Sequence, residues 1–273
     1  MYGKKVSRLA LAGFMLWASW GASSVWAEAL SARMIMEKAN LAAFYQGDDG
    51  RAEARMKIVD GQGREQVRQF VILRKDLEDG ANQWFYVLFS RPSEVNRTAF
   101  MVKKQVVKED DRWLYLPGLD LVKRISAGDK RTSFVGSHFF YEDISGRNIN
   151  DDEFQLVSDN DSAYQIEATP KDPKLVEFSH YRVVIDKQTY LPLSAEYFDA
   201  QGKVYRRAEL LKVELIDGIP TGTVLKMSDL VSGGYTVTQM RGIHYNLGIP
   251  ENVFAERSLR SPPREWLDNS AGH

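Results

Sequence analysis

Histidines are the side chains best suited to acid–base or metal chemistry near neutral pH, and this sequence has four of them. They are His138, His180, His244 and His273. None has a second histidine or a carboxylate at the spacing by which a helix holds a metal ion, so a metal site would have to be assembled from separate strands. Cysteine is absent, which excludes disulfides, zinc–thiolate sites, iron–sulfur clusters, a cysteine nucleophile and a lipid-modified N-terminal cysteine.

The sequence also lacks the motifs of several common enzyme classes. It has no G-x-S-x-G nucleophile turn, no Walker phosphate loop and no dinucleotide-binding glycine pattern. A hydrolase would need residues far apart in sequence to converge, for example one of the histidines with a serine. We therefore expect a protein that is not an enzyme and that uses no cofactor or metal.

Three acidic clusters lie between predicted strands, and none matches a calcium-binding loop. They are Glu109-Asp110-Asp111, Asp151-Asp152-Glu153 and Asp159-Asn160-Asp161. Their composition is typical of solvated turns, which is the structure we predict for them.

Four basic residues flank apolar strand positions, at Lys123-Arg124 and Lys130-Arg131. One interpretation is a solvated strand end and its turn. The other is a rim that docks acidic head groups or a membrane transporter. The whole chain has a net charge of −1, which is atypical of a general nucleic-acid binder, and we expect no nucleic-acid partner.

The first 27 residues have the pattern of a secretory signal peptide. Lys4, Lys5 and Arg8 form a basic start, an apolar run of 12 residues follows at 9–20, and Val25-Trp26-Ala27 resembles a cleavage site. A membrane anchor is the alternative, but spanning a bilayer takes roughly 20 apolar residues. We predict cleavage after about Ala27, export across the inner membrane to the periplasm, and a mature chain without its own lipid anchor.

The rest of the chain changes from one helical segment to a long series of strands. Apolar residues recur at helical spacing over 28–46, and alternation begins at Ala52. About a dozen strands then follow, joined by short turns such as 60–63 and 199–202, which indicates antiparallel pairing. We predict a mainly β (α+β) domain over 28–260, built on one large curved sheet or barrel, and a flexible C-terminal tail at 261–273.

Two strands, at 70–73 and 84–89, are apolar on both faces. An antiparallel sheet with one solvated face would alternate, so both faces of these strands must be covered. Helices could cover the second face, or the sheet could curve around a cavity. Few helical segments are available: 28–46, part of 126–150, and 251–257. The shortage favours an apolar interior partly open to a ligand.

Residues 112–144, RWLYLPGLDLVKRISAGDKRTSFVGSHFFYEDI, resemble the outer-membrane lipoprotein-sorting family of LolA-like periplasmic proteins. The resemblance lies in the aromatic strand at 113–115, Pro117, the basic strand at 123–125, the Ser-Phe-Val-Gly segment at 133–136 and the aromatic-Tyr-Glu-Asp segment at 140–143. It implies an incomplete antiparallel barrel, or half-barrel, of about eleven strands with a few lid helices.

The resemblance also implies a carrier that binds acyl chains of lipoproteins or other lipids and moves them toward the outer membrane. Its implied partners are lipid or acylated lipoprotein cargo, an inner-membrane exporter or an outer-membrane acceptor, and transient contact with a membrane surface. The alternative function is envelope-stress sensing or scaffolding, with the same fold and a protein partner.

Alternate apolar residues of the strands are the candidates for the cavity wall. The predicted set is Trp84, Tyr86, Leu88, Phe100, Trp113, Tyr115, Phe134, Tyr181, Val183 and Tyr197. The choice between the two faces of each strand stays open, because a shift of one residue puts the neighbouring side chains inside instead.

Overall fold

A computed structural model describes residues 30–78 and 80–268. The predicted signal peptide, residues 1–27, and residues 269–273 of the predicted tail lie outside the described residues. Within the described ranges, no helix combines the length and the apolar character needed to cross a membrane.

The described residues contain one continuous sheet, in which every neighbouring pair of strands is antiparallel. Its strands are β1 (Asp49–Val59), β2 (Glu65–Asp76), β3 (Gln83–Arg91), β4 (Ala99–Lys104), β5 (Asp111–Leu116), β6 (Leu121–Ile125), β7 (Asp152–Asp159), β8 (Ala163–Pro170), β9 (His180–Asp186), β10 (Pro192–Phe198), β11 (Val204–Ile216), β12 (Ile219–Asp229) and β13 (Tyr235–Tyr245). The predicted incomplete barrel is confirmed, with 13 strands in place of about eleven.

The strand order is β6-β5-β4-β3-β2-β1-β13-β12-β11-β10-β9-β8-β7. The chain therefore runs outward from the middle of the sheet to one edge, β6, and restarts at the opposite edge, β7. It returns strand by strand until β13 pairs with β1. Residues 126–151, which we call the β6–β7 connection, link the two edges. The sheet is consequently made of two local meanders joined by one long-range strand pair.

Local sequence sets the hairpins and their register. In the β1–β2 turn, the Asp60 carboxylate accepts hydrogen bonds from the backbone of Gln62 at 2.9 Å and of Arg64 at 3.0 Å. Gly63 follows with a φ of +80°, a conformation that favours glycine. Across β8 to β11, opposite charges face each other in the order Glu167, Arg182, Glu196, Arg207. Such cross-strand pairs favour this register over a shifted one.

Strands β2 to β5 are covered on both faces. Their inward side chains, such as Phe85 and Val87, belong to one core cluster, and the alternating Tyr86 belongs to another. Residues 247–267 pack over the outer face, with a 3₁₀ turn at Glu251–Phe254 and the short helices α3 (Arg257–Arg260) and α4 (Arg264–Leu267). The C-terminal segment thus explains why the strands at 70–73 and 84–89 are apolar on both sides.

The described part of the predicted tail is docked on the sheet. Leu267 is buried in the outer cluster, and Arg51 of β1 donates a hydrogen bond to the Leu267 carbonyl at 2.8 Å. Residues 261–268 are therefore packed rather than flexible, since the apolar contact and the buried hydrogen bond both hold α4.

Helix α1 (Ala32–Phe44) lies within the predicted helical range of 28–46. Ser31 caps its start by accepting a hydrogen bond from the Met34 backbone at 3.2 Å. Ile35 and Ala39 are buried in a core cluster with side chains of β8 and β9. At its C-terminal end, Arg74 donates to the Phe44 carbonyl at 2.7 Å, which places a cation at the negative end of the helix dipole.

The β6–β7 connection packs over the inner face of the other half of the sheet. It contains the short helix α2 (Tyr141–Ser145), two 3₁₀ turns and the bridge between Ser133 and Phe140. Phe134 is fully buried, and its ring centroid lies 5.5 Å from Phe100 and 5.6 Å from Tyr141. Helix α1 and the β6–β7 connection therefore form two covers over the concave side of the sheet.

Candidate functional site

An apolar cavity of about 440 Å³ lies between the sheet and its two covers. The sheet supplies its floor, with apolar side chains that include Met56, Phe70, Ile72, Phe85, Val183, Ala195, Ala208, Leu210, Leu225, Met227 and Met240. Helix α1 contributes Met36, Ala39 and Phe44, and the β6–β7 connection contributes Phe139 and Ile144. This volume falls in the range of about 300–1,000 Å³ that small-molecule sites occupy, and the lining favours an apolar ligand.

Hydrogen bonds and a packing contact join the two covers beside the cavity. Arg33 of α1 donates to the Ile149 carbonyl at 3.0 Å and to Asn150 Oδ1 at 2.6 Å. Phe44 packs against Gly146, where a Cβ atom would lie 2.7 Å from its ring. Gly146 also has a φ of +74°, so a larger residue there would clash and be strained. These contacts hold α1 and the connection together beside the cavity.

Charged residues of the connection form one polar end of the cavity. Glu142 is 2% exposed and pairs with Arg131, and Arg147 Nε lies 2.8 Å from Asp152 Oδ2. Tyr181 of β9 donates to the same Asp152 oxygen at 2.8 Å. Burial opposes ionisation of Glu142, but the surrounding Arg131, Arg147 and Lys130 hold the pKa of its carboxyl below its ordinary value.

A second cluster of polar side chains lies at the other end of the cavity, near the C-terminal end of α1. Tyr245 donates to Gln46 Oε1 at 2.7 Å, and its hydroxyl lies 2.9 Å from Thr221 Oγ1. Gln46 in turn donates to the Pro220 carbonyl at 2.7 Å. These contacts satisfy the side-chain polar atoms of Gln46, Thr221 and Tyr245 at this end.

Of the predicted wall residues, Tyr181, Val183 and Tyr197 line the cavity. Phe100 and Phe134 point to the same side of the sheet but lie in the buried aromatic cluster. The other five predicted residues belong to the outer cluster beneath residues 247–267: Trp84, Tyr86, Leu88, Trp113 and Tyr115. Their predicted position is wrong because the opposite face of β3 and β5 turns inward, so that Phe85 lines the cavity in place of Trp84 and Tyr86.

The four basic residues predicted as a rim do not come together. Lys123 and Arg124 are exposed, and Arg124 pairs with Asp111. Lys130 and Arg131 are largely buried side chains that face Glu142.

Arg131 is held by aromatic as well as acidic neighbours. It lies over the rings of Phe140, Phe178 and Tyr197, and its Nε is 2.7 Å from Glu177. Substitution of Arg131 would therefore break a buried network, whereas substitution of Arg124 would change the surface.

Two of the acidic clusters are likewise more than solvated turns. Asp110 pairs with the buried Arg112, and Asp152 is itself buried between Arg147 and Tyr181. The prediction of solvated turns is wrong at these positions because Arg112 and Arg147 pair with the carboxylates and Tyr181 hydrogen-bonds Asp152.

Sequence reasoning missed four methionines of the cavity wall: Met36, Met56, Met227 and Met240. A signal for Met56 was present, since it alternates with the charged residues Arg55 and Lys57. Methionine is flexible and polarisable, which suits a wall that must adapt to ligands of different shape.

Solved structures with the same architecture include proteins of related sequence. A DUF1329 family protein from Desulfovibrio piger is 28% identical, with a TM-score of 0.75 over 82% of this chain and 97% of that chain. A domain named for outer membrane lipoprotein sorting, from Vibrio parahaemolyticus, is 26% identical, with a TM-score of 0.76 over 84% of this chain and 98% of that chain.

A LolA superfamily protein from Nitrosomonas europaea shares the fold, with 21% identity and a TM-score of 0.65 over 84% of this chain and 99% of that chain. A protein-family model with the description "Uncharacterized protein" matches residues 81–261, about two thirds of the sequence. The chain belongs to the LolA-like family. No curated protein was found to match it. The match to the family model spans β3 to α3, and so includes the β6–β7 connection and the charged end of the cavity.

Proposed function

We propose that this LolA-like protein is a carrier that holds acyl chains of lipoproteins or other lipids in its apolar cavity. The observation that carries the proposal is the cavity itself, with apolar side chains from the sheet, α1 and the β6–β7 connection around a volume of about 440 Å³. Similarity to a domain named for outer membrane lipoprotein sorting supports the same ligand class. No group of His, Cys, Asp or Glu side chains with metal-binding geometry occurs in residues 30–78 and 80–268.

The energetics of acyl burial suit a carrier. Each buried CH₂ group contributes roughly 0.8 kcal/mol, so a chain of about 16 carbons would gain on the order of 10 kcal/mol before costs. Opening the contacts of Arg33 and Phe44 with the connection subtracts from that gain. The covers therefore lower the net affinity, which allows cargo to be released to an acceptor.

The proposed location is the periplasm, reached by means of the signal peptide predicted at residues 1–27. In that compartment the carrier would take cargo from the inner membrane or from an exporter and deliver it toward the outer membrane. Its partners would be the lipid or acylated lipoprotein, a membrane exporter or acceptor, and the membrane surface during transfer.

Uptake of a fluorescent fatty acid by the protein purified from the periplasm tests the proposal, together with native mass spectrometry of the same protein. We expect bound lipid and saturable uptake in the wild type. An Ala208→Trp variant should take up much less fatty acid, because its indole would occupy the cavity.

Ala200→Trp is the matched control, since Ala200 is exposed in the β10–β11 turn and the same indole there should leave uptake unchanged. Empty wild-type protein that takes up no fatty acid would contradict the carrier function.

A further inference from the structure

A second cavity of about 330 Å³ lies beside the apolar one, between the β4–β5 turn and the β6–β7 connection. Its wall is polar and includes Glu109, Asp110, Arg112, Lys130, Glu142 and Asp151. Glu142 and Gly146 line both cavities. The polar cavity therefore adjoins the charged end of the apolar cavity.

Lys130 is the central cation of the polar cavity, and its side chain is 8% exposed. Its Nζ atom lies 3.7 Å from Glu109 Oε2, 3.6 Å from Glu142 Oε1 and 3.9 Å from Asp151 Oδ2. These distances exceed those of hydrogen bonds, and Lys130 Nζ makes no hydrogen bond to any residue in the described ranges. Its three donors are therefore available to a ligand.

The carboxylates around Lys130 differ in how well they are paired. Glu142 is already neutralised by Arg131 and Arg147. Asp151 has Lys130 and Arg147 at 3.9 Å each, and burial raises the pKa of its carboxyl. The half-exposed Glu109 has Lys130 at 3.7 Å. Asp151 and Glu109 thus retain acceptor capacity for a cationic group.

Arg112 adds a second cation to the same wall. It is 2% exposed and pairs with Asp110 through Nη2, while its Nε and Nη1 atoms have no hydrogen-bond partner among the residues the structure describes. Buried donors without partners are rare, which marks this wall as incompletely satisfied by the protein alone.

The arrangement of charges selects one kind of ligand. A simple anion would meet the carboxylates of Glu109, Asp110 and Asp151, and a simple cation would meet Lys130 and Arg112. A group that joins a phosphate to a primary amine satisfies both, with its phosphate toward Lys130 and its amine toward Asp151 and Glu109.

We propose that the polar cavity binds the zwitterionic phosphate–amine head group of a phospholipid whose acyl chains enter the apolar cavity. The proposal rests on the carrier function and names its cargo class.

The test compares lipids with identical acyl chains and different head groups. Native mass spectrometry would measure binding of dioleoyl phosphatidylethanolamine, phosphatidylglycerol, phosphatidylcholine and dioleoylglycerol to the protein purified from the periplasm. We expect the ethanolamine lipid to bind about tenfold more tightly than the glycerol lipid. This is the difference in affinity that one additional charge-assisted hydrogen bond would produce. The choline lipid should bind more weakly than the ethanolamine lipid because its quaternary amine cannot donate a hydrogen bond.

The variant Asp151→Asn combined with Glu109→Gln should lower ethanolamine-lipid binding about tenfold and leave glycerol-lipid binding intact. Both side chains are partly exposed, and circular dichroism would verify that the variant is folded. Asp161→Asn, in the exposed β7–β8 turn, is the matched control and should keep the wild-type preference.

The outcomes separate the two proposals. Equal binding of the four lipids by the wild type, or an unchanged preference in the double variant, would overturn the head-group site and leave the carrier function standing. Binding of glycerophosphoethanolamine, which has no acyl chains, as tightly as the intact lipid would show a site for a soluble zwitterion and overturn the lipid assignment. Failure to bind any of the four lipids would overturn the phospholipid assignment, and only a failure to take up the fluorescent fatty acid as well would contradict the carrier function itself.

Discussion

Lys104 places a cation in an apolar part of this LolA-like fold, and its titration should be visible in the stability of the protein. Its Nζ atom donates to the Ser145 carbonyl at 2.8 Å and lies 5.5 Å from the Phe44 ring centroid. Burial lowers the pKa of Lys104 from 10.5 to about 8, although Asp110 and Glu142 act in the opposite direction. The side chain therefore connects β4 to both covers, and the burial of its positive charge is unfavourable.

The sign of the pH dependence follows from this lowered pKa. Below pH 8 the lysine is protonated in the folded and unfolded states alike. Between about pH 8 and pH 10.5 the folded protein releases the proton while the unfolded chain keeps it, so the free energy of unfolding rises with pH. A shift of 2.5 pH units corresponds to about 3 kcal/mol in total, at 1.36 kcal/mol per unit.

Urea denaturation of the wild type and of Lys104→Met at several values between pH 7 and pH 10 would measure the effect. We expect the wild type to gain about 2 kcal/mol from pH 8 to pH 10 relative to Lys104→Met. Lys103→Met on the same strand is the control, because Lys103 lies over Trp84 on the outer face and its loss should preserve the wild-type slope. Parallel pH profiles for the wild type and Lys104→Met would refute the reasoning.

Three further predictions concern the covers and the surface. Glu142→Gln should lower the free energy of unfolding by about 3–5 kcal/mol because it leaves Arg131 and Arg147 buried without their shared carboxylate. Chemical denaturation beside an exposed Glu94→Gln control would measure this, and equal stabilities would contradict the network. Phe134→Ala should lower the free energy of unfolding by about 3–5 kcal/mol, since it removes a buried ring that packs against Phe100 and Tyr141. A melting temperature unchanged from that of the wild type would count against this packing. Arg131→Glu should destabilise the protein severely while Arg124→Glu changes its stability by less than about 1 kcal/mol. Thermal unfolding of the two variants compares them, and similar losses would place Arg131 on the surface.

The sequence pattern predicted the sheet well because the hairpins are local. Turns such as Asp60–Arg64 carry their own hydrogen bonds, and the strands on either side alternate clearly enough to be located. The resemblance of residues 112–144 to LolA-like proteins added the incomplete barrel and the expectation of a lipid ligand. Neither source predicted the path of the β6–β7 connection, whose helix α2 is one turn long and whose shape depends on partners such as Phe100 and Arg206.

The face of each strand that turns inward was harder to predict. Strands β2 to β5 are covered by the connection on one side and by residues 247–267 on the other, so neither face is marked by polar residues. Trp84 and Phe85 are equally suited to either side, and only the packing of the C-terminal segment distinguishes them. On β9 the alternation is clear, and Tyr181 and Val183 both line the cavity.

The order of the strands has a consequence for how the chain folds. Every strand pair except one joins neighbours along the sequence, and these hairpins can form early with little loss of chain entropy. The exception pairs β1 with β13, where Gly50 lies opposite Tyr245. Because closure of so long a loop slows folding, we expect the two meanders to form first and the β1–β13 pairing to limit the rate. Until β13 arrives, β1 is an exposed strand edge open to wrong partners, so aggregation during refolding should depend most on that single strand.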